Sequence, residues 1–397
     1  MKYDFETVHK RFNTGSMKWN ELSKFGVKEA DDIIPFSVAD MEFVTPPEIV
    51  AAIKNQLDTS IMGYENPSPD YLASVCSWLK SRHNWNAEPE WILPSHGVVD
   101  AFFQAVRTFT EEGDGVMLMT PVYYPMYTAI NSTRRKLVDN PLINTETRYE
   151  IDFEDMEQKA ADPNTKMLIL CSPHNPVGRV WTREELTRIG EICLRNNVLV
   201  VSDEIHFDLI MPGNKHTVFA SINDEFADNC LVLTAPSKTF NIAGLQTSNV
   251  LIPNPELRER FLQTLRLSNP NPKCNILGYY AAEAAYKLCG KWLDECLIVI
   301  DTNRRIIADF LKRELPMLKP YRLEGTYLQW IDMNGLGIDY RELERINHEE
   351  AGLFFDEGYV FGKQGEGFER WNLACPSRYI EEALARMKTA YTKHMKI

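Results

Sequence analysis

The sequence predicts an α/β protein, with a large domain whose mixed, mostly parallel sheet lies between helices and a smaller α+β domain after it. Three observations carry this. First, short apolar runs alternate with helical segments: MLILC before a helix opened at Thr182, then VLVVSD from Val198, then CLVLTA from Cys230 to Ala235. Strands that are apolar on every side belong to a sheet covered on both faces, which is the signature of parallel pairing. Second, 397 residues exceed what one core usually supports. Third, from about Lys291 the pattern changes to a long helix, then EGTYLQWIDM, an acid-rich helix and FERWNLACPSRYIEEALARM. The expected division is an N-terminal arm (1–50) that joins the small domain, a large domain (51–290) and a small C-terminal domain (291–397).

Composition narrows the function classes. A net charge of -13 argues against a nucleic-acid or anionic-membrane surface, although a local basic pocket remains compatible with it. Runs such as VLVV are far too short to cross a bilayer, and the opening MKYDFETVHKRF is charged throughout, so a cytoplasmic protein is expected. The eight cysteines contain no CxxC pair and the eight histidines no HExxH spacing. Neither disulfides nor a metal site is expected.

Taken in order, RFNTGSMKW (residues 11 to 19) and IPFSVADMEFVTPPEI form an arm, a short strand and a turn whose two prolines open a helix. Tyr64 lies in the Gly/Pro-marked loop that follows. SHGVVDAFFQAVRTF is a turn running into an amphipathic helix, with Phe102, Val106 and Phe109 on one face. The start of that helix, at Val98 and Val99, offers free backbone amides and a positive dipole end suited to a phosphate, although ordinary packing explains such a helix equally well. A strand from Val116 to Thr120 ends at Tyr123, which could lie flat on a ring or simply fill core or interface.

The strand from Met167 runs into a proline-bounded loop containing Asn175. Thr182 and Glu185 form a capping box for the next helix, and VLVVSDEIH (Val198 to His206) is a strand ending in Asp203. The run CLVLTA leads into TAPSKTFNIAGL, with Ser237 and Lys238 where that strand stops. A lysine amine held in a desolvated pocket loses its proton readily and can condense with an aldehyde. Alone, Lys238 reads as a surface lysine in a turn, and Arg370, in a strand-like run before the last helix, as a salt-bridged arginine. The combination says more. Asn175, Asp203 and Lys238 each follow the carboxyl end of an expected strand, and such ends converge on one cleft.

Asn175 in SPHNPVG, Asp203 in SDEIH, Lys238 in APSKTFNIAGL and Arg370 in RWNLACP together resemble the signature of fold-type I pyridoxal-phosphate enzymes of the aminotransferase class I/II family. The resemblance runs from about Arg11 to Arg378. Within the family, RFNTGSMKW, VADMEFVTPPEI, DEIH and GTYLQWID are similar to the cystathionine β-lyase branch, the MalY/PatB-like carbon-sulfur lyases. It implies pyridoxal 5'-phosphate held by Lys238, which also serves as general base. Asp203 would face the pyridine nitrogen, Asn175 the phenolate oxygen with His206 nearby, and Tyr123 the ring. Ser237 and the amides of Val98 and Val99 would hold the phosphate, joined by Tyr64 from the partner subunit of a homodimer. Arg370, with Asn175, would take the substrate carboxylate.

Two positions depart from the wider pattern: Gln246 stands where many members place a phosphate-binding arginine, and His206 replaces a frequent tyrosine. The implied reaction is cleavage of the Cβ-S bond of cystathionine, cysteine or a related amino-acid thioether to thiol, pyruvate and ammonia. Amino transfer is the alternative, and a catalytically idle regulatory protein on the same fold is the third reading.

Overall fold

The computed structural model describes residues 1–22, 33–268 and 274–394. At its centre is a sheet of seven strands: β1 (Ile92–Ser95), β2 (Gly115–Thr120), β3 (Lys136–Pro141), β4 (Thr165–Cys171), β5 (Leu199–Asp203), β6 (Cys230–Thr234) and β7 (Ser248–Leu251). Their spatial order is β1-β7-β6-β5-β4-β2-β3, with β7 antiparallel to both neighbours and the remaining pairs parallel. The expected mixed, mostly parallel sheet is therefore present.

Both faces of the sheet are covered, and strand alternation decides which residue goes where. Met167, Ile169, Val201, Leu231 and Leu233 pack on one side with Val98, Phe102 and Val106 of the helix Val98–Phe109. Leu168, Leu170, Val200 and Val232 pack on the other, with Leu186 and Ile189 of the helix Arg183–Arg195. Each such side chain taken fully out of water stabilises the fold by about 1.5–3 kcal/mol. The second helix starts where its capping box requires: the Thr182 hydroxyl accepts from the Glu185 amide, and the Glu185 carboxylate accepts from the Thr182 amide.

The strand expected to end in Asp203 does end there, where the Ile205 amide turns back to donate to Asp203 Oδ1 at 3.2 Å. An aspartate side chain that captures an amide two residues ahead makes an Asx turn and ends extended structure. Asn175 lies four residues past the end of β4, in the loop closed by the pairing of His174 with Arg179. Lys238 sits on one helical turn, Pro236–Thr239, rather than in an open turn.

Beyond the 25-residue helix Gly290–Glu314 lies a second, four-stranded sheet of β8 (Lys319–Pro320), β9 (Leu328–Asp332), β10 (Asp356–Glu357) and β11 (Phe368–Asn372), in the order β8-β9-β11-β10. The helix Ser377–Thr392 follows it. The arm reaches this part of the chain. Ile34 and Pro35 pair in parallel with Leu353 and Phe354, and the Asn372 amide donates to the Phe36 carbonyl at 3.1 Å. All eight cysteines are unpaired thiols.

Candidate active site

Just beyond the carboxyl ends of β4, β5 and β6 lies a cavity, the place where ligands bind in open α/β sheets. Val98, Val99, Tyr123, Asn175, Asp203, His206, Ser237 and Lys238 all line it. Arg370 stands directly behind Asn175, and Tyr64 lies outside.

Lys238 Nζ donates to the Ala39 carbonyl at 2.6 Å, and the Tyr327 hydroxyl donates to the same oxygen at 2.8 Å. That carbonyl is itself fixed. Asn372 Nδ2 donates to the carbonyls of Val38 and Asp40 on either side of it, and Lys18 Nζ holds the Asp40 carbonyl at 2.8 Å. Lys18 is fully buried. Burial opposes its charge, but Glu42 and Asp40 more than restore it and raise the lysine above its ordinary range. Lys238 lacks such compensation. Burial brings it down to about 8; Asp40 opposes that, while Arg370 adds to it. An amine with this poise is an available nucleophile and base near neutral pH.

Asp203 shows the reverse shift. Burial, augmented by the neighbouring Glu204 charge, pushes its carboxyl up to about 7 even though the Ile205 amide bonds to it. Such a carboxylate calls for a cation in front of it. Burial also drives His206 well below the usual imidazole range, and its Nδ1 has no hydrogen-bond partner.

At the other end, Gly97 precedes the helix Val98–Phe109 with φ 130° and no capping side chain, and a Cβ there would meet nothing within 4 Å. The amides of the first helical turn have no acceptor within the helix and carry its positive dipole end. With the Ser237 hydroxyl they make a cradle for an anion. Gln246 lines the cavity from a left-handed conformation (φ 46°), and among the described lining residues there is no arginine. An anion at this end would meet oriented amides and hydroxyls, with His96 beside them. These features fit pyridoxal phosphate at both ends: an anion cradle for the phosphate and a buried carboxylate for a protonated ring nitrogen.

Arg370, on β11, is 2% exposed. Its Nη1 donates to Asn175 Oδ1 at 2.8 Å, its Nη2 pairs with Asp356, its Nε has no partner, and the guanidinium lies 4.6 Å from the Phe361 ring centroid. With Oδ1 committed to Arg370, Asn175 is left to present its amide donors to the cavity. Sequence reasoning missed Asp356, Ala39 and Tyr327. Nothing near Asp356 in the chain marks it; the signal is its register opposite Arg370 across β10 and β11.

Tyr64 is 92% exposed and borders a second cavity that shares His96 and Gln246 with the first. Ile61 and Met62 beside it are exposed as well.

A lysine, an aspartate and an asparagine at parallel strand ends, with an anion cradle opposite, define a class of aldehyde-cofactor site. The chain belongs to the aminotransferase class I and II family, whose pattern it matches over residues 31–387. It is 42% identical to the cystathionine beta-lyase PatB of Bacillus subtilis over 388 residues, 98% of this chain and 99% of that one. Among solved structures it is similar to cystalysin of Treponema denticola, which contains pyridoxal 5'-phosphate. There the TM-score is 0.97 and the identity 48%, over 99% of this chain and all of the other. The pyridoxal-phosphate-bound C-S lyase of Staphylococcus hominis superposes with a TM-score of 0.90 at 32% identity, covering 99% and 100% of the two chains.

Proposed function

We propose that this chain is a pyridoxal-phosphate-dependent carbon-sulfur β-lyase, acting on cystathionine, cysteine or a related amino-acid thioether. The observation that carries this is the buried Lys238 amine at the end of β6, held on the Ala39 carbonyl in a cavity with one guanidinium, Arg370, behind its Asn175 wall. Whole-length similarity to proteins named as lyases supports it.

In this reading Lys238 Nζ and the facing Asp203 hold the cofactor, Tyr123 covers its ring, Asn175 and His206 flank its phenolate oxygen, and Ser237 with the amides of Val98 and Val99 hold its phosphate. When bound, the cofactor supplies a sink for negative charge developing at the substrate Cα. The chain does the rest. Arg370, through its unpartnered Nε, and Asn175 orient the substrate carboxylate. The Lys238 amine would remove the Cα proton, burial lowering its own affinity for a proton. The Ala39 carbonyl limits where that amine can move. Loss of thiolate from Cβ then leaves an enamine, which hydrolyses to pyruvate and ammonia.

Amino transfer would need recognition of a second, keto-acid substrate, and among the described cavity-lining residues no arginine is available for a distal carboxylate. The assay that decides is pyruvate and thiol release from a small thioether panel without added keto acid. Release at least about tenfold faster than amino transfer, roughly 1.4 kcal/mol in barrier, is expected. Faster amino transfer across a broad amino-acid panel would replace the lyase reading with the aminotransferase one.

The exposed strip Ile61, Met62 and Tyr64 supports a homodimer in which Tyr64 reaches the phosphate end of the other subunit. An active monomer in sedimentation experiments would contradict it. We also read the chain as an N-terminal arm (1–50) joining a small C-terminal domain (291–397), beside a large domain (51–290). Among the described residues no helix is long and apolar enough to cross a membrane, and we take the enzyme to act in the cytoplasm.

A further inference from the structure

On the face of the small sheet away from the substrate clamp, acidic side chains gather around one imidazole. Glu344 lies in the last turn of the helix Tyr340–Arg345, and His348 follows four residues later in the π-helical turn Ile346–Ala351. That spacing puts both on one side of the helical segment. Glu357 reaches them from β10. One ligand atom from each of the three lies within 4.8 Å of the other two, and His348 Nε2 is 3.1 Å from Glu357 Oε1. The His348 ring is fixed by stacking on Phe354, 4.2 Å between centroids with planes 12° apart.

A second observation is independent of those three residues. Glu369 lies directly opposite Glu357 in the β10–β11 register and so on the same face of the sheet. It is 2% exposed. Its Oε1 accepts from Asn347 Nδ2 at 3.2 Å, which points the carboxyl at the helical turn that carries Glu344 and His348. Its Oε2 has no partner. A buried carboxyl oxygen left unsatisfied among other acids costs stability unless something positive compensates it. The nearby arginines do not. Arg370 is committed to Asn175 and Asp356 on the other face, and Arg341 is exposed, with only a minor charge effect on Glu344.

We propose that Glu344, His348 and Glu357 form a binding site for a divalent transition-metal ion of the zinc type, with Glu369 as the buried carboxyl behind it. The donor set gives the chemistry. One imidazole and two carboxylates suit zinc and its neighbours, leaving room for water at the remaining position. Magnesium and calcium prefer oxygen ligands throughout. Side-chain adjustment would bring the three atoms, now within 4.8 Å of one another, to zinc-ligand separation. Because Glu357 adjoins Asp356, which pairs with Arg370, the ion would brace the strand that carries the clamp's counter-ion.

The test is calorimetric titration of the chelator-washed, cofactor-loaded enzyme with Zn²⁺. One ion per chain is expected, with affinity reduced at least about tenfold in His348→Gln and in Glu344→Gln, and with cofactor absorbance and basal pyruvate release unchanged in both. Mg²⁺ at the same concentration should give no binding heat. Absence of Zn²⁺ binding by the wild-type enzyme overturns the proposal. So does binding that is equally tight in both variants, which would place the ion elsewhere, for example at the half-buried Cys76.

Discussion

The cofactor end of the cavity and the clamp end are built differently. At the cofactor end each group sits within a few residues of a strand terminus: Asn175 after β4, Asp203 on β5, Ser237 and Lys238 after β6. At the clamp end the groups come from distant parts of the chain. Arg370 reaches Asn175 across 195 positions, and its neighbour Asn372 reaches the Val38 carbonyl of the arm across 334. A sheet edge brings local motifs together by topology alone, whereas the clamp forms only when two sheets and the N-terminal arm have docked. Damage at the first end should therefore remove chemistry, and damage at the second should mainly loosen substrate.

The largest effect is expected at the cofactor end. Lys238→Ala should lower pyruvate release by about 10⁴-fold or more, since it removes both the covalent anchor and the base. Residual activity within tenfold of wild type in steady-state assays would break the comparison. Asp203→Asn comes next, with a loss of about 10³-fold in kcat, the upper range for one preorganised electrostatic group. Its cofactor should remain bound, as judged by absorbance, and a near-wild-type rate would remove Asp203 from the role.

Arg370→Ala sharpens the contrast. Losing a buried charge-assisted contact costs about 2–5 kcal/mol, so kcat/KM should fall roughly a hundredfold, mostly through KM, with cofactor content intact. A fall confined to kcat would place Arg370 at the chemistry instead of the clamp.

The smallest effect is one of stability. The Asp203 carboxyl titrates near 7 in the folded chain, well above the ordinary 3.8 of an unfolded chain. The folded state therefore holds that proton more tightly, and stability falls as pH rises from about 4 to 7, then stays low. Apoprotein carrying Asp203→Asn escapes this. At pH 8 it should be more stable than apo wild type by on the order of 2 kcal/mol. That is about half of what 1.4 kcal/mol per pH unit would give, because water enters the cavity. The difference should close toward pH 4 in urea titrations, and a difference independent of pH would contradict the shift.

The same contrast explains what could be read from the residues alone. Lys238, Asp203 and Asn175 were legible because an apolar run announces a strand and the polar residue beyond it announces an edge. The amides of Val98 and Val99 were legible because a glycine opened an amphipathic helix. Asp356 was not, since its role is set by cross-strand register with Arg370, and the pairing of two short strands leaves no periodic trace. Ala39 acts through its carbonyl, which no side chain advertises. Gln246 was visible as a departure, but that helix amides and hydroxyls face the same end of the cavity became plain only from the fold.

The most direct measurement is borohydride reduction of the holoenzyme followed by peptide mapping. The account predicts one reduced pyridoxyl adduct, on Lys238 in the peptide containing APSKTF, absent from Lys238→Ala protein. An adduct on another lysine, such as the buried Lys18, or its persistence in the variant would contradict the assignment on which the rest of the site depends.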